Sequence, residues 1–126
     1  MVEKIDCTSF ADFQAKLQEC GKADTPLFIL FYAAKSKATG ISWCPDCVAA
    51  EPVIDAALAA LPHCRLLQVS CEREAYRGAD FPFRSPPISL TCVPTLMRWS
   101  GGCVARLGDA DCQRPEAVVQ LVNSRT

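Results

Sequence analysis

The sequence predicts an α/β fold, a central mixed β-sheet flanked by helices on both faces. Three observations carry this prediction. Leu27 to Tyr32 is an unbroken apolar run rich in aromatic residues, and Arg65 to Val69 is a second, largely apolar run. Between them, Val48 to Leu61 reads as a helix, which gives the order of a β-α-β unit with parallel strands and a right-handed crossover. Farther on, Thr95 to Trp99 and Cys103 to Leu107 enclose Ser100-Gly101-Gly102, a hairpin that adds an antiparallel edge.

Each element has a local reason. Val2 to Ile5 is a candidate first strand. Phe10 to Cys20 reads as a helix because Phe10, Phe13, Leu17 and Cys20 recur at helical spacing. Thr8 or Ser9 can cap its start, and Gly21 ends it. Leu27 to Tyr32 follows Pro26 and suits a strand covered on both faces. Ala33 to Ser42 reads as a loop containing two lysines and Gly40. Val48 to Leu61 is apolar on nearly all sides, with Glu51 and Asp55 marking its wet side, Pro52 inside it and Pro62 ending it. Ser70 to Pro94 reads as a long loop with one helical turn from Glu72 to Tyr76. Pro115 opens a last helix to Val122, with Asp111 or Gln113 near its cap.

Length and composition narrow the function. The 126 residues fit one domain, 1–126, with 50% apolar and 21% charged residues. That balance excludes disorder and collagen-like repeats. No apolar run reaches the ~18 residues of a membrane span, so no membrane partner is expected. Thirteen basic against fourteen acidic residues give a net charge of −1, against the basic excess of a general nucleic-acid binder. Nine cysteines are many for this length, and the number is odd. The start, Met1-Val-Glu-Lys-Ile-Asp-Cys, lacks the apolar stretch of a signal peptide. The expected setting is therefore cytoplasmic and reducing, with most thiols free.

The motif that carries chemistry is Trp43-Cys44-Pro45-Asp46-Cys47. It stands between a buried strand, with its exit loop, and a long helix. A cysteine at the start of a helix faces unpaired backbone N–H groups and the positive end of the dipole, which favour thiolate. Cys47 lies three residues on, about one turn below, where the two sulfurs can close a disulfide. Pro45 fits the first helical turn because its missing N–H has no partner there. The chemistry read from this context is dithiol–disulfide exchange, with attack by Cys44 and resolution by Cys47. A zinc site would need two further ligands at usable spacing, and His63 is the only histidine. Two incidental core cysteines are the remaining alternative. Val93-Pro94-Thr95 is a second element: proline before a strand marks a tight connection, and X-Pro bonds are those that adopt cis.

Taken together, these motifs resemble the thioredoxin fold. Trp43-Cys-Pro-Asp-Cys-Val with Ala50-Glu51-Pro52-Val53 resembles, more narrowly, the thioredoxin domain-containing protein 17 family. The loop Phe31 to Ser42 and the stretch Cys64 to Arg84, with Tyr76 and Phe83-Arg84, are similar to that family too. The resemblance implies a cytosolic thiol-disulfide oxidoreductase that reduces small or selected protein disulfides such as cystine, and S-nitrosothiols. It implies Cys44 as nucleophile, Cys47 as resolving thiol, and Pro94 as a cis-proline beside them, with Val93 offering its backbone to a substrate chain. It also implies an external electron donor, a thioredoxin reductase-like enzyme or a low-molecular-weight thiol. The expectation is a monomer with no cofactor and no metal. The alternative is a redox-sensing binding module without efficient turnover.

Several further residues are candidates for supporting roles. Trp43 either packs over the dithiol or is a core aromatic. Leu30 stands where ordinary thioredoxin carries a buried aspartate, which leaves Asp46 and Glu51 as candidate proton acceptors for Cys47. Asp46 reads equally as a solvated carboxylate at a helix start. Lys35 and Lys37 read as a solvated loop face. The seven other cysteines read as mainly structural, with Cys92, two residues before Pro94, the one candidate for glutathionylation or an aberrant disulfide. The loop Ala33 to Ser42 is expected to narrow the approach to Cys44 and exclude large substrates.

Overall fold

The computed structural model describes residues 2–7, 9–21, 25–35 and 38–123. Thr8, as a cap, and Lys37, as a loop cation, lie outside the described residues. The first strand, β1 (Val2–Cys7), leads to helix α1 (Phe10–Cys20), β2 (Leu27–Ala33) and helix α2 (Pro45–Ala59). β3 (Cys64–Cys71) and a short helix α3 (Arg73–Arg77) follow, then a 3₁₀ turn at Pro82–Arg84. The hairpin β4 (Thr95–Trp99) and β5 (Cys103–Gly108), a 3₁₀ turn at Asp109–Gln113 and helix α4 (Pro115–Val122) complete the fold.

The sheet order is β1-β3-β2-β4-β5. β3 runs parallel to both β1 and β2, whereas β4 is antiparallel to both β2 and β5. This is the mixed sheet that the β-α-β unit and the hairpin predict. β2 sits between β3 and β4 and buries both faces, which is why its sequence is a continuous apolar run rather than an alternating one. One face of the sheet packs a core that includes Phe13, Ile29, Phe31, Leu67, Phe83 and Met97. The other packs α2 and α4 through Phe28, Leu30, Ile54, Leu58, Leu66 and Val118.

Ser9 caps α1 by accepting the Asp12 N–H at 3.1 Å. α2 begins at Pro45, three residues before the stretch expected from periodicity, and ends at Ala59. It is not buried all round: Val48 is 45% exposed, and the buried residues are Cys47, Ala50, Ile54, Ala57 and Leu58. Its outward alanines raise helix propensity without needing burial, so they mimic an apolar face in the sequence. Arg114 occupies the N-cap position of the terminal helix without a side-chain cap, and Asp111 and Gln113 lie just before it in the 3₁₀ turn.

The segment read as a long loop is more ordered than expected. The helical turn expected near Glu72 to Tyr76 is α3, while the continuation of β3 to Cys71 and the Pro82–Arg84 turn add order beyond it. Its order comes from rings. Phe83 lies 5.2 Å from Phe10, 5.3 Å from Phe13 and 5.3 Å from Phe31, centroid to centroid. Phe81 continues the chain of rings from Phe83 to Tyr76, and Tyr76 stacks at a tilt on Trp43. Arg84 lies over both Tyr76 and Phe81 and donates to the Tyr76 and Gly78 carbonyls. Aromatic pairs of this kind add to plain area burial.

Candidate active site

The site forms where β2 ends and α2 begins. Cys44 is the N-cap residue of α2, with extended backbone (φ −113, ψ 114), and Pro45 occupies the first turn. Cys44 therefore stands one position ahead of the first helical turn, and its carbonyl accepts the Cys47 and Val48 N–H groups at 3.1 and 3.2 Å. Its own amide donates to Ser42 Oγ at 3.2 Å, and Ser42 Oγ donates to the Ala33 carbonyl at 2.8 Å. Ser42 thus fastens the start of the helix to the end of β2. An isolated bridge between Lys35 and Ser42 closes the base of the intervening loop.

The two motif cysteines differ in environment. Cys44 is half-buried, and its Sγ lies 3.8 Å from the Val93 carbonyl. Cys47 is 5% exposed, and its Sγ accepts the Ala33 N–H at 3.3 Å. Burial pushes the Cys47 thiol up to about 12, and the neighbouring Cys44 pushes in the same direction. The Ala33 N–H and the Ser42 hydroxyl oppose burial by favouring thiolate. At neutral pH Cys47 is therefore held as the thiol, on the protected side of the pair.

The Val93–Pro94 peptide bond is cis, and so is Pro86–Pro87, which the sequence did not single out. The cis turn brings the Val93 carbonyl to Cys44. The Pro94 carbonyl accepts the Asp109 N–H at 2.8 Å, joining this turn to the end of the hairpin. Gly108 stands opposite Thr95, and a Cβ there would come within 2.7 Å of Cys92 Sγ. Cys92 is half-buried beside this turn, its sulfur 3.6 Å from Thr95 Oγ1.

Trp43 packs against the end of β3 and against α3. Its indole N–H donates to the Cys71 carbonyl at 3.0 Å, and its ring meets Tyr76 at 5.8 Å. The aromatic surface beside Cys44 is thus supplied by the segment after β3. The long loop after β2 instead contributes Lys35 and Ser42 to a cavity on the Cys47 side.

Asp46 does not face Cys47. Its carboxylate accepts from Gln113 Nε2 at 3.2 Å and lies against Asp109, whose carboxyl is raised mainly by the hydrogen bond with Asp46. Asp46 therefore ties α2 to the 3₁₀ turn after β5. Lys35 pairs with Glu51 at 3.0 Å. His63 is exposed in the turn before β3. Among the described residues, no group of three or more His, Cys, Asp and Glu is placed to hold a metal ion. None of the described helices is long and apolar enough to cross a membrane.

Sequence reasoning missed Ser42 and Tyr76 as parts of the site. A hydroxyl residue immediately before Trp-Cys was the available signal for Ser42. Tyr76 carried no local signal, because only the fold brings it to Trp43.

Comparison with known proteins gives the family and the fold. The family model described as thioredoxin domain-containing protein 17-like, thioredoxin domain, matches residues 6–124. The thioredoxin-like protein Clot of Arabidopsis thaliana is 36% identical over 133 residues, covering 99% of this chain and 98% of that protein. Thioredoxin domain-containing protein 17 of Homo sapiens is 31% identical over 122 residues, covering 94% of each. Among solved structures, oxidized thioredoxin O1 from Arabidopsis thaliana aligns with a TM-score of 0.61 at 23% identity, covering 96% of this chain and 99% of that one. That last likeness concerns the fold.

Proposed function

The chain belongs to the thioredoxin domain-containing protein 17-like family, a thioredoxin-fold family consistent with thiol-disulfide oxidoreductases, and from that premise we propose that it reduces small or selected disulfides through Cys44 and Cys47. The observation that carries the reading is the asymmetry of the pair. Cys44 is partly open to solvent at a helix start, while Cys47 is buried three residues behind it and held as thiol.

In the proposed cycle, the Cys44 thiolate attacks one sulfur of the substrate disulfide. A Cys44–substrate bond forms, the substrate S–S bond breaks, and its second sulfur leaves as thiolate. Cys47 then attacks Cys44 Sγ, a Cys44–Cys47 bond forms, and the remaining substrate sulfur leaves with the electron pair. The protein dithiol loses two electrons and the substrate disulfide gains them. An external donor, either a reductase of thioredoxin type or a low-molecular-weight thiol, restores the dithiol. The Val93 carbonyl and the Trp43–Tyr76 wall are the surfaces that would border a bound substrate. The proposed setting is reducing and cytoplasmic, where the dithiol form of the pair is maintained.

Steady-state reduction of cystine and of insulin, each with a panel of donors, tests the reading. Cystine turnover dependent on both Cys44 and Cys47 is expected, with a higher cystine-to-insulin ratio than an ordinary thioredoxin gives. Absence of turnover with every donor would contradict the enzyme and leave a sensing or binding module.

A further inference from the structure

We propose that the cavity behind the dithiol is the path by which Cys47 loses its proton, and that Glu51 is the relay group at its mouth. The inference rests on the reading of Cys47 as resolving thiol. It concerns a step that reading leaves open, because a thiol must shed its proton before its sulfur can displace the substrate.

The cavity measures about 280 Å³ and reaches Cys47. A water occupies roughly 30 Å³ in the liquid, so several waters fit. Its buried end is formed by Cys47 with Leu30, Ala50 and Pro94, which offer no side-chain base. Ser42 also lines it and lies near enough to Cys47 to favour the thiolate. Its outer part is charged and polar. A proton leaving Cys47 on this side therefore meets water first and a carboxylate second.

Among the described residues, three carboxylates line the cavity: Asp6, Glu51 and Asp55. Glu51 is the one placed to receive the proton. It follows Cys47 by four residues on α2, so the two side chains are neighbours on one helix face. Lys35 holds it at 3.0 Å, and Lys35 is bridged to Ser42 at the base of the loop. Asp55 is a turn farther from Cys47 and is paired with Lys4 of β1 at 3.2 Å. Asp6 comes from the edge strand β1, and Tyr32 of β2 faces the same space. Among the described residues, the charged and titratable groups around Glu51 are thus Lys35, Lys4, Asp6, Asp55 and Tyr32.

The step balances. The Cys47 proton passes through water to a Glu51 carboxylate oxygen, and then to solvent. The Cys47 sulfur attacks Cys44 Sγ, the Cys44–substrate bond breaks, and the substrate sulfur leaves with the electron pair. Glu51 touches neither substrate nor sulfur. It acts through water, so it is a positioning and relay residue.

The two steps separate in a single-turnover reaction with 5,5′-dithiobis(2-nitrobenzoate). Attack by Cys44 releases one thionitrobenzoate, and resolution by Cys47 releases the second. Cys92→Ser with Cys103→Ser provides the background, so that thiols outside the motif do not consume reagent. In Glu51→Gln, the second phase is expected to slow about tenfold near neutral pH, less than loss of a base in direct contact would cost, because water intervenes. The first phase should stay within about twofold. In Glu51→Ala, added acetate should restore the second phase in proportion to its concentration, which a merely structural role would not produce. An unchanged second phase in Glu51→Gln, or no response to acetate in a folded Glu51→Ala, overturns the relay while leaving the oxidoreductase reading intact. A background protein that releases only the first thionitrobenzoate contradicts the dithiol reading itself, and the relay with it.

Discussion

Cys47→Ser is expected to turn a catalyst into a trap: a mixed disulfide accumulates at Cys44 and steady-state turnover is lost. Attack still proceeds, because Cys44 keeps its place at the start of α2 beside the Val93 carbonyl. Resolution stops, because the serine hydroxyl at position 47 cannot displace a sulfur. Cys44→Ser removes the attacking sulfur, and the remaining motif thiol stays buried, which continues to favour its protonated form. That variant should form no adduct at position 47 with a protein or small disulfide near neutral pH. Peptide mapping after non-reducing digestion reads both outcomes. Alkylation of the reduced wild type adds an independent check, with Cys44 labelled before Cys47. Equal adducts in the two serine variants would reverse or dissolve the division of labour.

Phe83→Ala is the substitution expected to damage the fold most. Phe83 is 5% exposed and its ring is in contact with four others, on α1, on β2 and in its own segment. Truncating a buried phenylalanine costs about 3–5 kcal/mol, from lost transfer energy and the cavity left behind. Against the marginal stability of a domain this is a large fraction. For a protein of this length it corresponds to a fall in melting temperature of roughly 10–20 °C. The damage should extend to the site, because Phe83 supports Phe81, Phe81 meets Tyr76, and Tyr76 backs Trp43. Urea titration followed by tryptophan fluorescence and by circular dichroism reads both effects. Phe83→Leu, which keeps most of the volume, should recover much of the loss. A Phe83→Ala protein within about 1 kcal/mol of wild type, below the usual cost of such a truncation, would show that the rings do not anchor this segment.

What the sequence disclosed follows from how local each signal is. β2, α1, the hairpin and the last helix are written in neighbouring residues: a continuous apolar run, a helical spacing after a cap, a Gly-Gly turn, and a proline at a helix start. The Cys-Pro-Asp-Cys motif is equally local, since its chemistry depends on a helix beginning at Pro45. The burial of α2 was misread because alanine carries no sign of which way it points. The segment between β3 and β4 shows its helical turn in the sequence but not the rest of its order, for a different reason. Its order depends on Phe83 meeting Phe10, Phe13 and Phe31, which are distant in sequence. The same holds at the site. Cys44 and Cys47 were legible, whereas the Tyr76 support of Trp43 and the Asp46–Gln113 contact exist only once the chain is folded. Glu51 was named from the sequence, but its pairing with Lys35 and its place on the cavity of Cys47 required the fold.

The central claim is that the two motif cysteines carry electrons as one dithiol. The most direct measurement is a single turnover of fully reduced protein with limiting cystine, quenched in acid and mapped for disulfides. The account predicts two cysteines released for each cystine consumed, with one Cys44–Cys47 bond formed in the protein. Cystine consumed with the new disulfide elsewhere, or with Cys44 and Cys47 both still reduced, would contradict it.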